Sequence, residues 1–488
     1  MPFPLVLQRS FSSQLKTISS PSKRTVEIEA STLIREDHSV RHVSTALFDV
    51  LPTELKVEIF LYCLPVLPTF HPDEAPVALT RVCRSWNSLV LSTPRLWSSF
   101  SISIEGAGAA AAARDIQLMD NVKRWLDRSN PYPLHIRLTH IAQPHLRDNE
   151  SHRSGQILSL LITHVHRWKH VEFFIPSGTS YVLLRLGAHQ LPALKSLSLR
   201  TYGSFGSLGL LQFPLYRIPW SQISAVTLQL EQTLMSIEHC LHILGQAGGL
   251  QECSLNVNCT TPKCDTPLYP VVLPSLKTLG LTLRRGAMVN LVHFLAAVES
   301  PNLQELHIGW FVPTAQSPTT NFHDLLPFFT RFSHSLSQLT IAYLPLSTQQ
   351  LHAILYQLPN ITHLTLKYPL DDPSQDPITD EFFSAGTFTT PSTEATAESP
   401  TEFLLPRLKH CNLECHGAGY TSAALVAFLR SRTCQNYDID PSTVLHRMSV
   451  MKSFRILSMK VILDAVQALN TQWRVEGKNI SIDTLTVR

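Results

Sequence analysis

Pro274-Ser275-Leu276-Lys277-Thr278-Leu279-Gly280-Leu281 is answered one repeat later by Pro301-Asn302-Leu303-Gln304-Glu305-Leu306-His307-Ile308. Each copy is a turn signal followed by apolar-x-x-apolar-x-apolar. The last two apolar positions lie two residues apart, so on a strand they point to the same side, into a core. The proline before them ends any helix and lets the strand begin.

Toward the N-terminus the pattern returns as Leu250-x-x-Cys253-x-Leu255, Ile223-x-x-Val226-x-Leu228, Leu194-x-x-Leu197-x-Leu199, Trp168-x-x-Val171-x-Phe173 and Trp97-x-x-Phe100-x-Ile102. Toward the C-terminus it returns as Leu336-x-x-Leu339-x-Ile341, Ile361-x-x-Leu364-x-Leu366, Leu408-x-x-Cys411-x-Leu413, Leu445-x-x-Met448-x-Val450 and Ile482-x-x-Leu485-x-Val487. Through the middle the period is mostly 25 to 29 residues, inside the leucine-rich-repeat range of about 20–29. Helical apolar stripes lie between copies, at 235–244, 288–298, 348–357, 421–430 and 456–469. Strand, turn and helix in repetition make units that stack, because none can bury its own apolar face. The predicted fold is therefore α/β: short helices, then an irregular leucine-rich-repeat-like solenoid over 98–488 with a parallel sheet on its concave face. Variable repeat lengths and the lack of a regular Asn ladder make it irregular.

Alternate strand residues should face outward: Ser198, Arg200, Thr227, Gln229, Ser254, Asn256, Thr282, His307, Thr340, Thr365, Lys367, Asn412 and Glu414. They are mostly small and uncharged, which argues against a strongly acidic or basic partner. One insertion, 370–403, carries eight acids and no Lys or Arg, with Ser, Thr and Pro between them. It reads as a disordered solvated linker, too polar to pack, with a functional acidic tether as the alternative.

Of the 488 residues 44% are apolar, only 16% are charged, and the formal net charge is +3. So small and dispersed an excess points to neither nucleic acid nor an anionic membrane. No apolar run approaches the roughly 18–20 residues that span a bilayer. Nine scattered Cys, several at repeat core positions, suit a reducing compartment without a disulfide framework. The cytoplasm or nucleus is the expected location. Residues 1–45 read as a disordered arm. Its first 26 residues hold Arg9, Lys16, Lys23 and Arg24, six Ser and no acid, so a mitochondrial presequence is the alternative.

From Phe48 the sequence changes character. Pro52 suits a first helical position and Glu54 a first turn. Leu55, Ile59, Phe60, Cys63 and Leu64 recur at helical spacing, and a loop with Pro65, Pro68, Pro72 and Pro76 follows. A second helix is expected over 76–90, with Ala78, Leu79, Val82, Cys83, Trp86, Leu89 and Val90 on one stripe. Read from spacing alone, the two helices cap the array or dock a partner.

Leu51-Pro52-x-Glu54-Leu55-x-x-Glu58-Ile59-Phe60 resembles the start of an F-box. Leu79-x-Arg81-Val82-Cys83-Arg84-x-Trp86-x-x-Leu89, then Ser92-Thr93-Pro94-x-Leu96-Trp97, resembles its end. The pattern is similar to F-box-like domains of a large family of fungal proteins and sets a domain at 46–97. The resemblance implies binding to the Skp-family adaptor of a cullin–RING ubiquitin ligase, and through it to a cullin, while the repeats bind an unknown target protein. It implies adaptor contacts at Leu51, Pro52, Ile59, Leu79, Val82, Cys83 and Trp86. The loop from Pro65 to Pro76 is longer than in compact family members.

Chemistry is not expected. The sequence contains no G-x-S-x-G, P-loop, H-E-x-x-H or G-x-G-x-x-G. Cys253, Cys259 and Cys264 are irregularly spaced for a metal, and Cys411, beside Cys415 and His416, is a core position. No catalytic residue, cofactor or metal is assigned.

Overall fold

The computed structural model describes residues 48, 50–105, 109–141, 151–186, 191–203, 218–230, 235–259, 270–286, 288–311, 325–387, 404–432, 450–458, 466, 469–473 and 481–486. The chain divides into two compact units, Met1–Lys56 and Val57–Arg488. The expected arm at 1–45 lies outside the described residues. In the first unit the Leu51 amide donates to Phe48 O and the Lys56 amide to Pro52 O, which opens helix α1, Thr53–Tyr62.

The second unit is built on a fourteen-stranded sheet in which every described pairing is parallel. Thirteen strands lie in sequence order: β1 Ser99–Ile104, β2 Leu134–His140, β3 Trp168–Pro176, β4 Ser196–Tyr202, β5 Ala225–Gln229, β6 Glu252–Cys259, β7 Thr278–Gly286, β8 Glu305–Trp310, β9 Gln338–Ala342, β10 His363–Lys367, β11 His410–Cys415, β12 Ser453–Ser458 and β13 Ser481–Thr486. The two-residue strand Met235–Ser236 pairs beside β6. Parallel neighbours need a crossover, and between strands run α2 (Arg84–Leu91, before β1), α3 (Ala109–Arg128), α4 (Ser151–Ile162), α5 (Ile237–Gln246), α6 (Met288–Ala297), α7 (Leu326–Arg331), α8 (Thr348–Tyr356), α9 (Asp380–Gly386) and α10 (Ser422–Ser431). Consecutive parallel strands returned by helices are the solenoid that the repeats imply.

Register carries the core. Cys253, Leu279, Leu306, Leu339, Leu364 and Cys411 stand side by side across six strands, and all are buried. Leu255, Leu281, Ile308, Ile341, Leu366 and Leu413 form the next buried row. Helix starts are capped where the sequence allows it. Ser236 accepts from the His239 amide, Thr421 from the Ala424 amide, and Ser347 closes a reciprocal capping box with Gln350. The residue just before the repeat also works: Asn302 Nδ2 donates to Pro274 O (2.8 Å), Asn360 Nδ2 to Ser333 O (3.1 Å), and Gln222 Nε2 to Leu191 O (2.8 Å). Each amide ties one unit to the turn of the unit before it, a broken ladder in place of a regular one.

Several sequence expectations need correction. Strand β2 matches no copy, because the register that sets Ile136 beside Phe100 puts Pro133 where the first apolar residue should be. The copy at Leu445–Val450 is displaced. Met451, Phe454 and Ile456 are buried and Phe454 pairs with Cys411, whereas Val450 is exposed and 445–449 lie outside the described residues. Both stretches fit the spacing, and only register with β11 separates them. In the last copy Ile482 pairs with Phe454, so Leu485 is one residue out of phase. The helical stripe drawn at 456–469 begins inside β12. Asn256, expected outward, is only 3% exposed.

The largest correction concerns 370–403. Residues Pro373–Gln375 form a 3-10 turn and Asp380–Gly386 form α9, with Ile378, Phe382 and Phe383 buried. Phe383 packs on Tyr420 (5.1 Å) and Phe428 (5.5 Å). The acids are anchors: Asp376 accepts from the Gly417 and Ile378 amides, and Asp380 accepts from the Thr421 amide. Arg432, 2% exposed, donates to Gly386 O, Leu404 O and Leu405 O, closing the excursion onto α10. Residues 388–403 lie outside the described residues.

Side chains on the two sides of the expected 97/98 boundary pack together. Trp97 meets Trp125 edge-on (4.8 Å), and Phe70 packs on Trp125 (5.0 Å) and Phe100 (6.1 Å), so Val57 onward shares a core with the first repeats.

Candidate functional site

The second expected helix is broken. Ala78–Arg81 form a 3-10 turn, Cys83 is fully extended (φ −158°, ψ 172°), and α2 starts at Arg84. An extended residue in the middle splits the apolar stripe. Leu79 stays inside at 8% exposure, whereas Val82 is turned out at 57%. The module is held by Phe60, fully buried and 4.8 Å from the Trp86 ring, and by the Trp97 indole donating to Val90 O (2.9 Å). Arg95 pairs with Glu58 at 2.8 Å on the surface.

Around this small core the apolar side chains face solvent. Ile59 (41% exposed), Tyr62 (90%), Val66 (88%), Val82 and Leu91 are all exposed, as are Cys63 and Cys83. In the first unit Val50 and Leu55 are exposed, Pro52 is exposed and Leu51 is half-buried. Of the fourteen exposed large apolar residues among those described, seven fall within 50–91, so this segment has apolar surface that its own fold leaves uncovered.

Among the residues that the sequence nominated, Ile59, Val82 and Cys83 are exposed and Trp86 is half-buried against Phe60. Leu79 is not available to a partner, since it packs inside the module. The sequence reading missed Tyr62, Val66 and Leu91. Val66 could have been found, because it sits between Pro65 and Pro68 in a segment too short to bury it.

On the sheet's outward face the polar residues answer one another. Glu172 accepts from Arg137 Nε at 2.7 Å and lies 3.9 Å from His135, and these partners hold its carboxyl down to about 2, His135 first. Lys367 pairs with Glu414 at 3.6 Å, and Glu305 accepts from Gln338 Nε2 at 2.7 Å and Thr278 Oγ1 at 3.3 Å. Beneath the sheet, His140 shares a 2.9 Å hydrogen bond with Ser154 Oγ, and burial lowers its imidazole to about 4. Burial raises the thiols of Cys253 and Cys411 to about 12, the opposite of a nucleophile. Among the described residues no three His, Cys, Asp or Glu side chains gather as a metal site. Among them, too, no helix is long and apolar enough to cross a membrane.

Comparison with known proteins agrees with the position of this surface. No curated protein matches the chain. Among solved structures, the crystal structure of the Rad7 and Elc1 complex in yeast is 15% identical, with a TM-score of 0.40, over 79% of this chain and 93% of that one. A protein from Bacteroides fragilis is 10% identical, with a TM-score of 0.27, over 79% and 74%. At these scores neither likeness bears on the fold or function of this chain. Residues 48–103, which hold the exposed apolar side chains from Val50 to Leu91, match the F-box-like family model, and this segment is an F-box-like domain.

Proposed function

We propose that the chain is the substrate-recognition subunit of a cullin–RING ubiquitin ligase. Its F-box-like domain binds a Skp-family adaptor, which brings the cullin, and its repeats bind a target protein. One observation carries the reading: the segment that matches the F-box-like model is the one where apolar side chains are left uncovered. The adaptor-facing residues are Leu51, Pro52, Ile59, Val82, Cys83 and the half-buried Trp86, with Tyr62, Val66 and Leu91 added and Leu79 withdrawn to the module's own core. The chain performs no chemistry of its own. Its described cysteines, none in a disulfide, suit the reducing cytoplasm or nucleus.

Hot spots are few in most interfaces, so two or three of these residues should dominate. Leu51→Ala with Pro52→Ala, and separately Val82→Asp, should each weaken adaptor binding at least about thirtyfold, roughly 2 kcal/mol. The measurement is calorimetric titration of the adaptor into the full chain, with circular dichroism as the folding control. Equal affinity for parent and variants refutes the assignment. No binding by the parent leaves a ligase-independent protein-binding scaffold built on the repeats.

A further inference from the structure

The first strand of a parallel sheet has one side without a neighbour, and a linear array of repeats opens from such an end unless something closes it. In β1 that side is set by parity. Ser98 O accepts from the His135 amide and Ile104 O from the Ile141 amide. Ser98, Phe100, Ile102 and Ile104 therefore turn their peptide groups toward β2, and Ser99, Ser101 and Ser103 turn theirs away. Among the described strands β1 pairs with β2 alone. Yet the Ser101 amide is taken, donating to Pro68 O at 2.7 Å. A proline carbonyl can accept, but its nitrogen has no hydrogen to give, so at Pro68 the ladder ends instead of running on. Among the described residues the Ser103 amide, two places along the same edge, has no backbone acceptor.

Pro68 is held in place from both sides. Toward the sheet, Phe70 meets the Trp125 ring edge-on at 5.0 Å and the Phe100 ring at 6.1 Å, and Leu67 is buried. Within the loop, Glu74 Oε2 accepts from the Thr69 amide (2.9 Å) and from the Thr69 hydroxyl (2.8 Å), which closes 69–74 into a braced turn. The His71 amide donates to Thr69 Oγ1 inside that turn (3.2 Å). Beyond it the chain runs on into the module, where the Ala78 amide donates to Glu74 O (2.8 Å) just ahead of the buried Leu79. On the other side of the turn, Val66 is exposed and its neighbour Leu67 is buried. One short stretch thus belongs to the uncovered apolar surface at one residue and to the repeats at the next.

We propose that residues 67–75 are a strap that caps the N-terminal edge of the repeat sheet and makes 57–97 and the first two strands open as one body. The loop's length beyond compact family members is what carries Pro68 to β1. The surface that holds Tyr62 and Val66 is thereby kept in a fixed direction relative to β1 and β2, where a plain linker would let it swing. The strap acts whether or not an adaptor is bound, so its failure would leave adaptor docking standing, and the converse holds.

The test is hydrogen exchange on the full chain without adaptor, read by fragmentation mass spectrometry that resolves single amides. In the parent, after correction for intrinsic rates, the Ser101 amide should exchange at least about a hundredfold more slowly than the Ser103 amide, although both point off the sheet. Glu74→Ala removes the brace without touching the sheet and should quicken the Ser101 amide at least about tenfold. Phe70→Ala removes the strap's seat on Trp125 and Phe100. It should quicken 84–91 and 134–140 by a common factor, while 305–310 keeps its parent rate. Asp73→Ala breaks only a surface pair with Arg81 (3.6 Å) and should leave these rates unchanged. Circular dichroism confirms folding, and Phe70→Leu serves if Phe70→Ala unfolds. Equal protection of Ser101 and Ser103 in the parent, or an unchanged Ser101 amide in Glu74→Ala, would overturn the proposal. So would quickening in the Phe70 variant that stops at residue 97 or spreads equally to 305–310.

Discussion

Replacing Phe383 with alanine should destabilise the repeat unit by about 3–5 kcal/mol, the usual cost of a buried aromatic. The ring is fully buried, edge-on to Phe382 (5.4 Å) and Tyr420 (5.1 Å) and tilted on Phe428 (5.5 Å). A buried aromatic covers about 150–250 Å², which at about 25 cal/mol per Å² is worth about 4–6 kcal/mol before alanine's share is subtracted. The cavity left among three aromatic rings adds to the loss, while partial collapse reduces it. Urea denaturation gives the comparison. With a slope of about 3 kcal/mol per molar, a 3 kcal/mol loss moves the midpoint by about 1 M. Glu381→Ala, at an exposed position in the first turn of the same helix, should move it by no more than about 0.2 M. Because neighbouring repeats share stability, hydrogen exchange should show the loss concentrated at 380–386 and 422–431. Equal midpoints for the two variants would mean that α9 does not pack, and the acidic stretch would return to being a solvated linker.

Leu279→Ala should cost about 2–5 kcal/mol and Thr282→Ser no more than about 0.5 kcal/mol, read from the same denaturation curves; equal costs would mean the strand phase is wrong. Ser347→Ala removes the acceptor of the α8 capping box and should cost about 1 kcal/mol, with exchange quickening at the Gln350 amide. His140 has a folded-state pKa of about 4, below its ordinary 6.5, so its stabilising effect is complete above pH 6.5 and is lost as pH falls toward 4. Stability measured between pH 7 and 4.5 should fall less steeply in His140→Gln than in the parent. Glu172 follows the same sign lower down: its contribution is present above about 4.5 and lost as pH falls toward 2, and Arg137→Gln should flatten that limb.

The repeats were legible where chemistry and spacing agreed. Leu276, Leu279 and Leu281 state a strand by themselves, and the structure puts all three in the core. Reading failed where spacing alone could not choose. Leu445-x-x-Met448-x-Val450 and Met451-x-x-Phe454-x-Ile456 are equally good copies, and pairing with Cys411 and Leu413 selects the second. β2 was invisible because Pro133 occupies the position that defines the pattern. In 370–387 the acids drew attention from Ile378, Phe382 and Phe383, whose spacing marks a short buried helix start; carboxylates that accept backbone amides were read as solvated charge. In the F-box-like segment the motif letters were plain, but the extended residue at Cys83 was not. On the 3-10 turn before it Leu79 faces inward and Val82 outward, and the extended Cys83 then starts α2 in a new direction.

The guanidinium of Arg432 holds Gly386 O and Leu404 O on the same nitrogen. The two ends of the 387–403 connection are therefore pinned a few ångströms apart, whatever its length. Chain closure between fixed ends grows only with the logarithm of length, about 0.6 kcal/mol for each doubling. Gly386 and Leu404 are thus held as a fixed pair of posts, and the pairing of β10 with β11 does not depend on what the chain does between them. Arg432→Ala would remove that clasp, and hydrogen exchange at the Leu404 amide should quicken.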